Sequence, residues 1–253
     1  MKHKIVRALS KKILNDKYVE LILENKLESF PEAGQFVHIL TTGAFMRRPL
    51  SIAGCTEKRI KFIFEIKGPG TKKLSEINEG MHLDIIGPLG NGFPSINREK
   101  KIYLAAGGTG IAPLLLAAEK FINEKKNFSL FYGAKTDKDL LISILPHGNY
   151  KKFLSTDDGS YGEKGAVLKI FERETVNEKP DIVFAAGPIA MLKKLSELCS
   201  KKKIKAYVSL ENVMFCGIGV CQGCVIETIS GNRRVCKDGP VFDHTEIKWN
   251  IPD

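Results

Sequence analysis

Four cysteines near the end of the chain constrain its fold most strongly. They have the spacing C-x4-C-x2-C, with a fourth thiol after eleven further residues, at Cys216, Cys221, Cys224 and Cys236. This spacing is that of a plant-type [2Fe–2S] ligand set. The run CGIGVCQGC is rich in glycine, which allows the tight turns and close backbone approach that a loop around a cluster needs. The pattern predicts an iron–sulfur site and a protein that carries electrons.

Structural zinc is the main alternative for these thiols. Zinc sites usually combine two C-x2-C pairs, or cysteine with histidine, whereas this chain has one C-x2-C pair. His244 lies close behind the fourth cysteine, so a mixed zinc site stays open at this point. Cys55 and Cys199 have no local partners and are expected to be ordinary buried thiols. The remaining histidines lack ligand spacing and are expected to be surface or core residues: His3, His38, His82 and His147.

The composition is that of an ordinary globular protein. The chain has 253 residues, of which 43% are hydrophobic and 27% charged, enough for several domains with real cores. The net charge of +10 comes from scattered short lysine runs. This distribution argues against nucleic-acid binding and suits an acidic protein partner or a phosphorylated cofactor.

The hydropathy of the chain predicts neither a signal peptide nor a membrane span. Basic residues interrupt the apolar positions of residues 1–14, so no signal peptide is expected and a cytoplasmic location is predicted. The longest weakly polar run, 102–118, contains several glycines and a proline. It predicts a strand, a glycine turn and a helix in place of a membrane span.

Residues 1–98 have the pattern of a small antiparallel β-barrel. Short apolar strands alternate with turn-forming glycine and proline, and one short helix is expected near 71–77. The predicted strands are 18–23, 35–40, 48–53, 60–66 and 81–86.

From Lys100 the pattern changes to strands that alternate with helices. Such alternation predicts a doubly wound parallel sheet with right-handed crossovers. The predicted strands are 101–106, 128–132, 153–156, 182–186 and 206–210, and the predicted helices are 111–123, 137–144, 166–173 and 189–200. Regular periodicity stops after Glu211. We therefore expect three domains: a barrel (1–98), an α/β domain (99–210) and a small cluster-binding domain (211–253).

Two glycine loops follow strands of the predicted parallel sheet. One is Gly107-Gly108-Thr109-Gly110, and the other contains Gly187 and Pro188; each precedes a helix. Ligands of such sheets bind beyond the carboxyl ends of the strands, where free backbone N–H groups favour a pyrophosphate. The loops are candidate nucleotide-binding elements, although neither has the G-x-G-x-x-G pattern.

Two motifs in the barrel region could bind a phosphorylated cofactor. In RRPLS, Arg48 could clamp a phosphate, Pro49 stiffens the backbone, and Ser51 could reach a hydroxyl. In GPGT, Gly70 and Thr71 begin the predicted short helix, where phosphates bind readily.

The order of the motifs RRPLS, GPGT, GGTGIAPLL, AAGPIAML and CGIGVCQGC…VCKDGPVF resembles that of the electron-transfer subunits of dihydroorotate dehydrogenase B, in the ferredoxin reductase superfamily. The resemblance spans nearly the whole chain. It implies an FAD-binding barrel, a domain that binds NAD as substrate, and a C-terminal [2Fe–2S] domain. Carried over by motif, the FAD contacts are Arg48, Pro49, Leu50, Ser51, Ile63, Phe64, Glu65, Gly70 and Thr71, and the iron ligands are Cys216, Cys221, Cys224 and Cys236.

The same resemblance implies a partner. This is a separate FMN-containing catalytic subunit that oxidises dihydroorotate to orotate in pyrimidine biosynthesis, in a heterotetramer of two subunits of each kind. Electrons would pass from that FMN through the cluster and FAD to NAD⁺. The sequence itself shows no orotate site and no general base for carbon-acid chemistry.

Two other functions remain open at this point. The small subunit of NADH-dependent ferredoxin:NADP⁺ oxidoreductase resembles this layout as well, but that family typically has an aspartate where this chain has Cys216. A zinc-stapled, non-redox nucleotide-binding protein would retain the glycine loops. The preference for NAD or NADP also stays open, because Lys135 could pair with a 2′-phosphate and Asp137 could exclude it.

Overall fold

The computed structural model describes residues 3–41, 43 and 45–251. Its first part is a closed six-stranded antiparallel barrel with the strand order β1-β2-β5-β4-β3-β6, which confirms the predicted barrel. The strands are β1 (His3–Ile13), β2 (Tyr18–Glu24), β3 (Phe36–Leu40), β4 (Arg48–Cys55), β5 (Arg59–Glu65) and β6 (His82–Leu89), and one short helix, α1, spans Pro69–Ser75.

The first barrel strand was missed by the sequence analysis. Strand β1 buries only Val6 and Ala8 completely, and six of its other nine side chains are polar. Because apolar and polar residues alternate strictly only over Val6, Arg7 and Ala8 at this point, the pattern of a half-buried strand is too short to stand out. Pairing with β2 on one side and β6 on the other fixes this strand in the barrel.

The second part is a seven-stranded sheet with the order β10-β9-β8-β7-β11-β12-β15, in which β15 is Val241–Asp243. All neighbouring strands are parallel except the last pair, so the predicted doubly wound sheet is confirmed. The strands that precede the cysteine-bearing segment are β7 (Ile102–Gly107), β8 (Phe128–Ala134), β9 (Lys151–Thr156), β10 (Glu163–Lys164), β11 (Ile182–Ala186) and β12 (Lys205–Ser209).

Helices lie on both faces of this sheet. They are α2 (Ala112–Asn123), α3 (Val167–Asn177) and α4 (Ile189–Lys202). Helix α2 also packs against barrel strand β4, and the ion pair between Lys61 and Glu119 (3.1 Å) crosses the same boundary. The barrel and the sheet therefore share a buried interface.

The predicted helix at 137–144 is wrong. The structure has two 3₁₀ turns there, Asp137–Asp139 and Ile142–Ile144, separated by extended backbone at Leu140. The Leu141 N–H donates to the hydroxyl of Tyr132 (3.1 Å) and so makes no helical bond. Tertiary contact with this buried tyrosine outweighs the weak local helix propensity.

The cysteine-bearing segment contains more regular structure than the sequence indicated. A hairpin of β13 (Val225–Thr228) and β14 (Gly231–Arg234) leads into the short helix α5 (Val235–Asp238) and strand β15 (Val241–Asp243). Strand β15 pairs antiparallel with β12, and the Asn91 N–H donates to the Gly239 carbonyl (2.6 Å). The segment thus contacts both the sheet and the barrel, and the three-domain division stays a prediction.

A buried polar cluster holds the end of the chain on α4. Ser196 Oγ lies 2.9 Å from His244 Nδ1, and the indole N–H of Trp249 donates to the same hydroxyl (3.1 Å). These contacts occupy His244 in the protein core, away from any role as a cluster ligand. Within the described part of the chain, no helix is long and apolar enough to cross a membrane.

Candidate functional site

The four predicted iron ligands lie in two pairs. The Cys221 N–H donates to Cys216 Sγ (3.4 Å), and the Cys236 N–H donates to Cys224 Sγ (3.4 Å). Among residues 3–41, 43 and 45–251, no three His, Cys, Asp or Glu side chains are arranged to hold one metal ion. Two thiol pairs would suit a [2Fe–2S] cluster, which takes two ligands for each iron, and ligation by these four cysteines stays a prediction.

The turns between the first three cysteines point backbone donors at sulfur. Gly219 donates its N–H to Cys236 Sγ (3.1 Å), and Gly223 donates to Cys221 Sγ (3.5 Å). Gly217 and Gly219 have φ values of +69° and +81°, in the left-handed region that favours glycine. Because hydrogen bonds to thiolate sulfur stabilise its negative charge, this loop is suited to cluster ligation.

Hydrogen bonding and burial separate the pKa values of two of these thiols. Burial opposes ionisation of Cys216, but the N–H groups of Cys221, Ile218 and Val220 outweigh it and lower its pKa to about 6. Burial, followed by interaction with Cys224, raises the pKa of Cys236 to about 12. Because iron binds the thiolate form, cluster insertion must release the proton of the buried thiol.

The motifs predicted to contact FAD converge on one pocket beside the barrel. Its walls include these predicted residues: Pro49, Leu50, Ser51, Ile63, Phe64, Glu65 and Thr71. Arg48 and Gly70 lie next to this pocket, and the guanidinium of Arg48 rests against the Cα of Gly70 so closely that a Cβ there would collide with it. The structure therefore brings the RRPLS and GPGT motifs together, while their role in binding FAD stays a prediction.

The two glycine loops line a larger groove at the carboxyl ends of β7 and β11. Gly107, Gly108, Thr109 and Gly110 form one wall, and Gly187 and Pro188 lie beside them. A Cβ at Gly110 would overlap the backbone of Ala186 and Gly187, so only glycine allows this contact between the loops. This position matches the ligand site of a doubly wound sheet, and nucleotide binding there stays a prediction.

The barrel pocket and the nucleotide groove meet. Six residues line both: Glu65, Lys67, Thr109, Gly187, Glu211 and Asn212. The side chain of Glu211 opens into this shared cleft, where desolvation by the surrounding protein, followed by the nearby Glu65, raises its pKa, while Lys67 opposes the shift. A flavin in the pocket and a nicotinamide in the groove would therefore meet at these residues.

Several residues of this cleft were not predicted from the sequence. Phe36 and Met214 line the barrel pocket, and Glu211 and Asn212 line both cavities. Glu211 follows strand β12 at its carboxyl end, the edge where ligands of parallel sheets bind, and this position could have indicated it. The sequence contained no comparable signal for Phe36, because its neighbours come from the distant C-terminal segment.

Apolar side chains are exposed along the cysteine loop. Val213, Phe215, Ile218 and Val220 are 66%, 52%, 39% and 74% exposed, and the nearby Cys221 is also exposed. Large apolar side chains on a surface can mark an interaction site. The first cysteine pair is thus located where another protein could approach it.

Two family models and a solved structure match this chain. The family model described as the iron–sulfur cluster binding domain of dihydroorotate dehydrogenase B matches residues 211–248. The model described as the oxidoreductase NAD-binding domain matches residues 104–197. In addition, a solved structure of NADH-dependent reduced ferredoxin–NADP oxidoreductase superimposes with a TM-score of 0.85 at 26% identity, covering 97% of this chain and 90% of that chain.

The predicted cofactors, FAD, a [2Fe–2S] cluster and NAD, agree with the two family models and the reductase fold. Two relatives carry the name dihydroorotate dehydrogenase B (NAD(+)), electron transfer subunit. The one from Clostridium perfringens is 36% identical over 231 residues, which cover 90% of this chain and 91% of the relative. The one from Caldanaerobacter subterraneus subsp. tengcongensis is 37% identical over 246 residues, which cover 95% and 96%. The chain therefore belongs to the oxidoreductase family of dihydroorotate dehydrogenase B electron-transfer subunits.

Proposed function

We propose that the chain passes electrons from the FMN of a dihydroorotate-oxidising catalytic subunit, through a [2Fe–2S] cluster and FAD, to NAD⁺ in pyrimidine biosynthesis. The meeting of the barrel pocket and the nucleotide groove carries this proposal. It creates one cleft in which two ring systems could lie against each other, as hydride transfer requires. When bound, FAD would supply the exchange between hydride pairs and single electrons.

Each segment contributes residues to one cofactor in this proposal. Arg48, Pro49, Leu50, Ser51, residues 63–65, Gly70 and Thr71 would hold FAD. Gly107, Gly108, Thr109, Gly110, Gly187 and Pro188 would hold the nicotinamide nucleotide. Cys216, Cys221, Cys224 and Cys236 would ligate iron. The support is that residues of each set are neighbours in the structure.

Phe36 connects the first and third of these sets. It lines the barrel pocket, and it also belongs to the buried cluster of side chains that contains Cys224 and Cys236. The buried cluster that contains these two proposed iron ligands therefore extends to the wall of the proposed flavin site. This proximity supports direct electron exchange between the two cofactors without a further carrier.

The partner would approach the exposed apolar loop around Cys216 and Cys221. We assign to it the FMN and the dihydroorotate chemistry, and we expect a heterotetramer of two subunits of each kind in the cytoplasm. Six free cysteines suit a reducing compartment. The NADH-dependent ferredoxin–NADP oxidoreductase function is less well supported, because both close relatives and the cluster-domain model carry the dihydroorotate dehydrogenase name.

We propose NAD⁺ as the acceptor on the basis of the family. Lys135 does line the nucleotide groove, as does Asp157 at the end of β9. Asp137, by contrast, donates its N–H to Ser160 Oγ (2.8 Å) and is not among the groove-lining residues. A carboxylate near the ribose disfavours a 2′-phosphate, so Asp157 is the acid that would act against NADP⁺.

Co-expression with the FMN-containing chain of the same genome tests the proposed function. The complex should reduce NAD⁺ when dihydroorotate is added, and native mass spectrometry should give a two-plus-two mass. The Cys221→Ser variant should lose this activity but retain FAD and NADH-dependent reduction of an artificial dye, because the flavin and nucleotide residues lie in other segments.

The Cys55→Ser variant is the matched control, since this thiol lies outside the cysteine loop, and it should retain every activity. Purified protein that stays colourless and iron-free after anaerobic reconstitution would refute the electron-transfer function. Failure of the FMN-containing chain to bind would refute the partner assignment alone.

A further inference from the structure

Strand β3 buries a histidine on the outside of the barrel. Val37 and Ile39 point into the barrel core, so the alternation of the strand directs Phe36 and His38 outward. His38 is nevertheless 0% exposed, and Phe36 packs in the cluster of side chains that includes Cys224 and Cys236. The cysteine-bearing segment therefore covers this face of the barrel.

The imidazole of His38 lies against the turn that follows the first cysteine. A Cβ added at Gly217 would lie 2.5 Å from His38 Nδ1 and 2.8 Å from its Cε1. Only glycine leaves room for the ring at this position, and the left-handed φ of Gly217 has the same requirement. The ring and the turn are thus in direct contact beside Cys216.

His38 has two polar atoms that the described residues leave without a hydrogen bond. Both Nδ1 and Nε2 are buried, and neither forms a hydrogen bond of ordinary geometry within residues 3–41, 43 and 45–251, although the Cys216 carbonyl lies near enough to oppose the lowering of the pKa of His38 by burial. A neutral imidazole carries one N–H donor, and burying it unpaired costs free energy. Buried polar groups nearly always form hydrogen bonds. A buried imidazole without one therefore indicates that an acceptor binds next to the ring.

Strand pairing and the Arg47 side chain hold the backbone of His38 in place. Arg47 donates from Nη1 to the carbonyl of His38 (3.4 Å) and to that of Asp84 (3.0 Å), and its Nη2 pairs with the Asp84 carboxylate (2.6 Å). His38 also pairs in register with Pro49 on β4 and Ile86 on β6. Because the strand is bonded on both sides, it cannot rotate to expose the ring to water.

We propose that His38 is a positioning residue for the iron–sulfur cluster, which seats the turn at Gly217 against the barrel and donates its ring N–H to sulfur on the Cys216 side of the bound cluster. This inference rests on the proposed function, because it requires that the four thiols hold a cluster. Sulfur would accept a hydrogen bond from the buried ring N–H at the place where the ring contacts the cysteine loop.

A donor at this position has a redox consequence. A hydrogen bond donated by an N–H group to sulfur stabilises the additional negative charge of the reduced cluster. It therefore raises the reduction potential of the cluster. The same strand carries Phe36, which lines the barrel pocket. Strand β3 would therefore hold the cluster at a fixed position relative to the flavin pocket and adjust its potential.

The test compares His38→Phe, which retains a ring without a donor, with His38→Asn and His38→Gln, which retain an amide N–H. His82→Phe is the matched control, because His82 is an exposed histidine of the same barrel. Two measurements are made on anaerobically reconstituted protein: the midpoint potential of the cluster by EPR-monitored titration, and the rate of iron release to a chelator.

We expect His38→Phe to have a more negative potential and faster iron release than the native chain. At least one amide variant should move both values back towards native, and His82→Phe should match the native chain. Unchanged potential in His38→Phe would overturn the proposal, as would equally fast release from all three His38 variants. Native protein without a [2Fe–2S] signal would instead refute the proposed function.

Discussion

Arg48 and Gly70 show how two residues that are distant in sequence act as one contact. The Arg48 guanidinium rests on Gly70, and its Nη1 donates to the carbonyls of Met46 (2.9 Å) and Arg47 (3.1 Å). These bonds hold the side chain beside the barrel pocket. A guanidinium held in this way is suited to clamp a phosphate of FAD with little further loss of side-chain entropy.

Replacement of Arg48 by alanine should weaken FAD binding. Loss of a charge-assisted hydrogen bond costs about 1.5–3 kcal/mol, which corresponds to a roughly ten- to hundredfold lower affinity. Flavin retention on repeated gel filtration measures this effect. Arg59→Ala is the control, because Arg59 is exposed on the neighbouring strand β5. Equal flavin content in the two variants would contradict the proposed role of Arg48.

Local sequence indicated the RRPLS motif but could not show what the arginine touches. The motif was evident because proline and paired arginines are adjacent in the chain. Its contact with Gly70 depends on how the barrel closes, which is decided by strand pairing between distant segments. His38 lacks ligand spacing and was expected to be a surface or core residue. Its contact with Gly217 could not be predicted for the same reason.

At the scale of elements, helix α4 anchors the end of the chain. Ser196 is buried on this helix, where its hydroxyl accepts the Trp249 N–H and contacts His244. The helix was predicted from its apolar periodicity, because that signal is local. Its role as an anchor was not, since the partners lie about fifty residues further along the chain.

Replacement of Ser196 by alanine should lower the free energy of unfolding by about 1–3 kcal/mol, because it leaves the buried His244 and the half-buried indole N–H of Trp249 without their partner. Ser200→Ala, an exposed position one turn later in the same helix, should change it little. Chemical denaturation measures both. If the two variants proved equally stable, the hydrogen bonds of Ser196 would not contribute to stability.

At the scale of the whole molecule, strand β15 makes the cysteine-bearing segment part of the nucleotide-binding sheet. Its Phe242 is buried in the same cluster as Cys224 and Cys236. The sheet, the cluster ligands and the end of the chain therefore share one core. We expect them to unfold together and not as separate domains.

Phe242→Ala should therefore destabilise the protein by about 3–5 kcal/mol and also reduce its iron content. Phe30→Ala is the control, because Phe30 is 64% exposed. Trp249, the single tryptophan, reports on the C-terminal segment by fluorescence, while circular dichroism reports on the whole flavin-free chain. Coincident transitions are expected, and a separate early fluorescence transition would show that the segment unfolds independently.

The sequence by itself determined the spacing of the four cysteines, the glycine loops and the order of barrel, parallel sheet and cysteine segment. These features depend on spacing and periodicity within short stretches of chain, which physical chemistry constrains locally. Only the tertiary structure decided that Glu211 lies in both cavities, that His38 is buried against Gly217, and that β15 joins the sheet. These contacts join residues distant in sequence, so they follow from the packing of whole elements, and apart from the position of Glu211 after β12 they leave no local signal.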